Sequence, residues 1–222
     1  MSGRPISVSD GPETGETRPH PEVHAAATGA AAPAGEDTEL RRARAAGWRA
    51  VDLTWERLQE AAPALLAETR AAEAVAAWHR AARIARWRFA RRDPRRVTSL
   101  ANLAFADRLM GREARARRRY ARAIRLWQEV PAWIEGVEPA RRARSSLFHM
   151  RMEAKHWETY RANMRTRLAR FAAETGECLA ALAEDRPPPH RLLGRWRAEK
   201  PGVFDDTRKL LAAALLVAAP EP

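Results

Sequence analysis

The chain has 222 residues, 45% of them hydrophobic, with a formal charge of +12 at pH 7 and a single cysteine. That length holds one domain of ordinary size and a tail. One cysteine excludes an internal disulfide framework and any multi-thiolate metal site. The longest apolar run, Leu210 to Ala219, is too short to span a bilayer, and no signal-peptide layout opens the chain, so a cytoplasmic protein without membrane contact is expected. Alanine, arginine, leucine and glutamate dominate, all good helix formers, and no segment alternates with the period of a strand. The body is therefore expected to be all-α.

Charge is unevenly spread. Residues 1–39 hold Asp10, Glu13, Glu16, Glu22, Glu36, Asp37 and Glu39 against Arg4 and Arg18, a net of −5 that leaves +17 for the remainder. Residues 1–37 mix Pro, Gly, Ser, Thr and Ala with these acids and show no periodicity, which reads as a disordered acidic tail. A basic body attracts phosphates or acidic protein surfaces. Because lysine occurs only at 155, 200 and 209, the excess is almost wholly arginine, a bias that a GC-rich genome also writes on solvated helix faces.

The first helix is expected from Asp37–Thr38, with Leu40, Ala43, Trp48, Val51, Trp55 and Leu58 stepping by threes and fours along one stripe. Pro63 should end or kink it. A second helix carries Ala74, Trp78, Ala81, Ala85 and Phe89 on one side. "RDPRR" breaks it, since a residue before proline avoids the helical region, and Pro94 can open the next helix. Thr98 to Trp127 then reads as two helices divided at Gly111. "VPAWIEGVEP" is a connector. Residues 140–183 supply one very long helix or two joined near Lys155, with Trp157, Tyr160, Met164, Leu168, Phe171, Leu179 and Leu182 on one stripe and Cys178 in its core. "DRPPPH" is a hard stop, and a short apolar helix beginning at Asp205 or Asp206 is suited to cap an exposed core end.

Self-comparison carries the main signal. Leu58, Ala61, Ala62, Ala74, Trp78 and Ala81 recur 42 residues later as Leu100, Leu103, Ala104, Ala116, Tyr120 and Ala123, and the breaks fall at Thr69 and Gly111. Large residues that wedge into a neighbour, with small ones that let backbones approach, are what helix-on-helix stacking requires. The pattern resembles the tetratricopeptide repeat (TPR), in the 42-residue form of the kinesin light chains. It departs from the family at Asp107, where an aromatic is usual, at Gln128, where the closing proline is missing although Pro131 is near, and at Thr69, which stands in for glycine. A degenerate third unit falls in 140–175, where Ser145-Ser146-Leu147 echoes Thr98-Ser99-Leu100. The resemblance implies a short α-solenoid of antiparallel helix pairs over 38–186, with a long C-terminal helix region, followed by a linker and capping helix over 187–222.

The resemblance also implies a concave groove lined by the first helix of each unit. Carried onto this chain, that gives Thr98, Ala101, Asn102, Phe105, Arg108 and Leu109 as partner-binding positions, with Asn102 placed to clamp a peptide backbone through its carboxamide. The equivalents in the first unit, Glu56, Gln59, Glu60, Pro63 and Leu66, form no obvious clamp. The arginines Arg112, Arg115, Arg117, Arg118, Arg119, Arg122 and Arg125 fall on the second helix of their unit. They read first as a solvated face, then, at Arg115, Arg118, Arg119 and Arg122, as a surface for an acidic partner; nucleic acid comes third. The tryptophans fall mostly on apolar stripes, with Trp133 and Trp196 the candidate interface anchors.

Chemistry is not expected. Glu153 and His156, with His149, form one E-x-x-H step, but a di-iron bundle needs a second copy and two more inward glutamates. No nucleophile elbow or phosphate loop occurs. No catalytic, cofactor or metal-binding residue is assigned. The reading is a non-catalytic TPR-type adaptor, scaffold or accessory subunit for a partner protein or peptide, its alternative a nucleic-acid-binding helical protein using the arginine-rich face. Partner identity and oligomeric state are not set by the sequence.

Overall fold

The structure, a computed structural model, describes residues 34–138, 147–200 and 202–220, with side chains from 38 onward and, in the long helix, from 156. All of its regular elements are helices: α1 (Ala34–Ala45), α2 (Ala50–Ala67), α3 (Ala71–Arg88), α4 (Arg95–Leu109), α5 (Glu113–Trp127), α6 (Val130–Glu135), α7 (Leu147–Ala183), α8 (Leu192–Glu199) and α9 (Asp206–Leu215). Among the described residues there is no strand, and no helix is long and apolar enough to cross a membrane. Of the tail expected over 1–37, residues 1–33 lie outside the described residues and 34–37 are instead the first turn of α1; Ser145 and Ser146 of the third-unit echo and the side chains of His149 and Glu153 also lie outside them.

Four helices end in the same way. At Gly47, Thr69, Gly111 and Asp185 the backbone turns left-handed, with φ of 80°, 62°, 69° and 59°. The next amide then reaches back five residues: Trp48 N donates to Ala43 O at 2.9 Å, Arg70 N to Leu65 O at 2.9 Å, Arg112 N to Asp107 O at 2.8 Å and Arg186 N to Ala181 O at 2.9 Å. This closure satisfies carbonyls that the helix end would leave open. At Gly47 it divides what the stripe from Leu40 to Leu58 suggested was one helix, because glycine enters the left-handed region without a Cβ penalty.

Residues 69 and 111 are 42 apart, as are the starts of α3 and α5, Ala71 and Glu113. The core follows the same interval. Ala62 and Ala104, Ala74 and Ala116, Trp78 and Tyr120, and Ala81 and Ala123 are all fully buried. The α2–α3 and α4–α5 hairpins thus repeat in turn and core, and α3 packs on α4 to join them.

Other expectations need correction. Pro63 lies inside α2, which runs on to Ala67. The lost hydrogen bond costs about 3 kcal/mol in a free helix, but here Ala62, Leu65 and Leu66 join the main core on both sides of the ring and hold it. The "VPAWIE" connector is the short helix α6, and the linker contains α8, whose Leu192 and Trp196 are buried. Residues 147–183 form a single helix. Tyr160 is 56% exposed although it keeps the stripe's step. The predicted N-cap of α9 is Asp205, whose side chain accepts from Arg208 N.

Thr69 is the strained member of the repeated turn, because a β-branched residue at positive φ crowds its own Cβ. Gly111 has nothing within 4 Å of a built Cβ, so its need for glycine is conformational alone. Thr69→Gly is expected to raise stability by about 0.5–1 kcal/mol after the entropy gained by the unfolded chain is set against the relieved strain. Gly111→Ala should lower it by about 1 kcal/mol. Thermal melts of the two variants check this, and a destabilised Thr69→Gly protein would contradict it.

Candidate functional site

Two of the expected partner-binding positions, Thr98 and Asn102, are buried against the chain's own C-terminal segment. On α4, Thr98 Oγ1 donates to Ala213 O at 2.5 Å. The Asn102 carboxamide donates through Nδ2 to Leu216 O at 2.9 Å, and its Oδ1 accepts from Ala218 N at 2.9 Å. One donor and one acceptor thus grip two main-chain groups just past α9. From α7, Thr175 Oγ1 donates to Ala214 O at 3.1 Å. Thr98, Asn102 and Thr175 are all fully buried.

A second carboxamide orients the first. Gln59 Oε1 accepts from Asn102 Nδ2 at 2.7 Å, while Gln59 Nε2 donates to Ser99 Oγ at 3.3 Å. Ser99 Oγ also accepts from Trp55 Nε1 at 2.7 Å and donates to Arg95 O at 3.0 Å. The buried side-chain polar atoms of Trp55, Gln59, Ser99 and Asn102 all find partners within this network, which is the condition for it to stabilise the fold.

The first-unit equivalents, which formed no obvious clamp in sequence, hold the same C-terminal region. Glu56 takes Arg208 of α9 through Nε and Nη2, the latter at 2.7 Å, with both side chains at most 2% exposed. Burial raises the Glu56 pKa against the pull of Arg208. The Arg208 guanidinium also lies 4.1 Å from the Phe204 ring and 5.4 Å from Trp48, and meets Glu39 at 3.3 Å. Glu60 accepts from Trp196 Nε1 at 2.7 Å and from Lys200 Nζ at 2.9 Å. Positions 56 and 98, and 60 and 102, therefore play matching parts 42 residues apart. Trp196, a candidate interface anchor, is fully buried by this contact, and Trp133 is half-buried.

The remaining groove candidates separate. Phe105 is buried edge-on against Trp78, ring centroids 5.6 Å apart. Arg108 donates to Leu182 O at 2.6 Å and meets Asp185 at 3.1 Å, so it fastens the end of α7. Leu109 is 48% exposed beside Met110 at the α4–α5 turn.

The arginine candidates separate as well. Asp107, where the repeat usually has an aromatic, is buried and receives Arg119 at 2.6 Å, Arg115 at 3.3 Å and Arg112 at 3.8 Å. Arg119 Nη1 further donates to Leu103 O at 3.0 Å. Arg118 and Arg122 are exposed and form no ion pair with a described residue. Trp87, read as part of an apolar stripe, is 73% exposed with the Arg86 guanidinium 5.1 Å from its ring.

Comparison of the chain with protein-family models, with curated proteins and with solved structures yields no match. Among the described residues no cluster of three His, Cys, Asp or Glu is placed to hold a metal ion. Cys178 is buried, and burial raises its thiol pKa, the reverse of what a thiolate nucleophile needs. A recess of about 500 Å³ lies between α5, α6 and α7, lined mainly by apolar residues such as Ile124, Trp127, Ile134 and Leu179. Its Arg165 is spent on Glu135 O.

Asn102→Ala removes both grips on the C-terminal segment and leaves Gln59 Oε1 and the Ala218 amide unsatisfied in the core. The expected loss is about 2–4 kcal/mol, read from urea unfolding. Leu109→Ala, at an exposed position of the same helix, should stay within about 0.5 kcal/mol of the parent. Equal effects of the two would contradict the assignment.

Proposed function

We propose that the chain is a non-catalytic adaptor or accessory subunit in a cytoplasmic complex, built as a short TPR-type α-solenoid whose groove is occupied by its own C-terminal segment. The observation that carries this reading is the Asn102 grip. A carboxamide at the position where the resemblance implies a peptide clamp holds a main chain through one donor and one acceptor, and that main chain is Leu216–Ala218. The recurrence of turn and core at 42 residues supports the same reading.

A groove filled in this way directs a partner to the outside of the stack. Leu210 to Ala218 are each no more than 4% exposed, and burying their five large aliphatic side chains stabilises the fold by about 10 kcal/mol. A peptide that had to displace them would first have to match that. Exposed arginines on α3 and α5, Arg118 and Arg122 among them, make this side basic, so the partner presents an acidic surface.

Isolation of the tagged full-length chain at physiological salt, followed by native mass spectrometry, is expected to recover a stoichiometric partner. The double reversal Arg118→Glu/Arg122→Glu should lose that partner while its melting temperature stays within a few degrees of the parent. A wild-type chain that is always alone, or a reversed chain that keeps its partner, would sink the reading.

A further inference from the structure

The outer face carries charge that the rest of the molecule does not neutralise. Between Glu73 and Asp93 the chain has six arginines and no acid, and between Glu113 and Glu129 it again has six arginines and no acid. Asp107 takes up Arg115 and Arg119. Arg80 and Arg83 on α3, and Arg118, Arg122 and Arg125 on α5, are exposed and unpaired among the described residues.

These two rows adjoin. His79 of α3 lies in the field of Arg119 and Arg115 of α5 and of Arg112 just before it, which add to burial in lowering its pKa against the pull of Asp107. Arg92, just after α3, meets Glu129, just after α5, at 4.0 Å. Both helices pack on α4, and their ends meet through this pair, so their exposed arginines belong to one basic surface strip. Trp87 sits on the last turn of α3, its indole 73% exposed and its ring approached by Arg86. Three other tryptophans, Trp55, Trp78 and Trp196, are fully buried.

We propose that this strip binds single-stranded nucleic acid, with phosphates on the arginines of α3 and α5 and a base stacked on Trp87. The proposal rests on the outer-face reading above and names the acidic partner. Three features favour a nucleic acid over an acidic protein. The core of a protein interface is apolar and closely packed, whereas between these arginines the strip exposes mainly the small side chains of Ala76, Ala114 and Ala121, with His79. Guanidinium forks match phosphate oxygens in pairs, and here the cations are arginine throughout. A flat, accessible aromatic among cations is the stacking platform that sequence-tolerant strand binders use. The ring requires an unstacked base, which selects a single strand over a duplex.

The test is fluorescence anisotropy with the full-length protein and four probes: labelled oligo(dT) and oligo(U) of about 20 nucleotides, a duplex of the same length, and poly-L-glutamate. Both single strands should bind at about 50 mM salt and weaken by roughly 20- to 100-fold at about 200 mM, as three to five phosphate contacts require. Trp87→Ala should weaken them by about tenfold or more. Arg118→Glu/Arg122→Glu should weaken them further and flatten the salt dependence. Both sets of side chains are exposed, and thermal melts of the variants verify that folding is intact. A Trp87→Ala protein that binds like the parent overturns the proposal, as does a preference for the duplex. Poly-L-glutamate binding as tightly as oligo(dT) also overturns it while leaving an acidic-partner adaptor standing. Failure of every polyanion to bind at the lower salt removes both.

Discussion

A single carboxamide decides how this chain closes on itself. Asn102 sits in the middle of α4 with no access to water, and its donor and acceptor are both turned onto the main chain that follows α9. Left unpaired in that position, each of its polar atoms would cost about 1–3 kcal/mol. Paired, they fix the register in which the C-terminal segment lies against α4. Gln59, Ser99 and Trp55 extend the network into α2, so the two hairpins and the C-terminus are tied by one continuous set of hydrogen bonds.

Two buried arginines work at the edges of that network. Arg95 is 1% exposed, lies 3.7 Å from the Phe89 ring, and divides its guanidinium between Asp52 at 2.8 Å and Asp93 at 2.7 Å. Arg208 is held by Glu56 among Phe204 and Trp48. Such pairs add less stability than their geometry suggests, because desolvation offsets most of the attraction. Their effect is positional: an arginine placed elsewhere in the core would have no carboxylate to meet. With Asp52, Asp93, Asp107 and Glu56 consumed inside, the arginines on the outer faces of α3 and α5 remain uncompensated. The basic strip is part of the chain's excess of 40 Lys and Arg over 28 Asp and Glu, left on the surface once these pairs have formed.

Much of the helical layout was legible in the sequence, and the reasons differ by element. The 42-residue recurrence marked the Thr69 and Gly111 turns and the paired core positions, because helix stacking writes small and large residues at fixed intervals. The start of α9 at Asp205–Asp206 was legible from its capping aspartate. Gly47 was passed over because the apolar step continues across it, and α6 and α8 because six and eight residues are too few to show a period. Asn102 was singled out as a clamp on a partner's peptide, whereas it is buried on the chain's own Leu216 and Ala218: nothing local in "LLAAALLVAAP" announces that this segment lies against α4. Glu56 pairs with a residue 152 positions away, and such a pairing leaves no local trace. Trp87 misled, since three- and four-residue spacing places a residue near the stripe but does not say which edge of the helix a neighbour covers.

The segment Leu210–Ala218 is held against α4 by buried hydrogen bonds in the native protein. Hydrogen exchange of the full-length protein, resolved to the peptide covering Leu210 to Ala218, measures that directly. Amides of this segment should exchange as slowly as those of α4, through global unfolding alone. Exchange within seconds, with α4 still protected, would mean that the segment leaves the groove in the native protein and that a partner's chain can take its place.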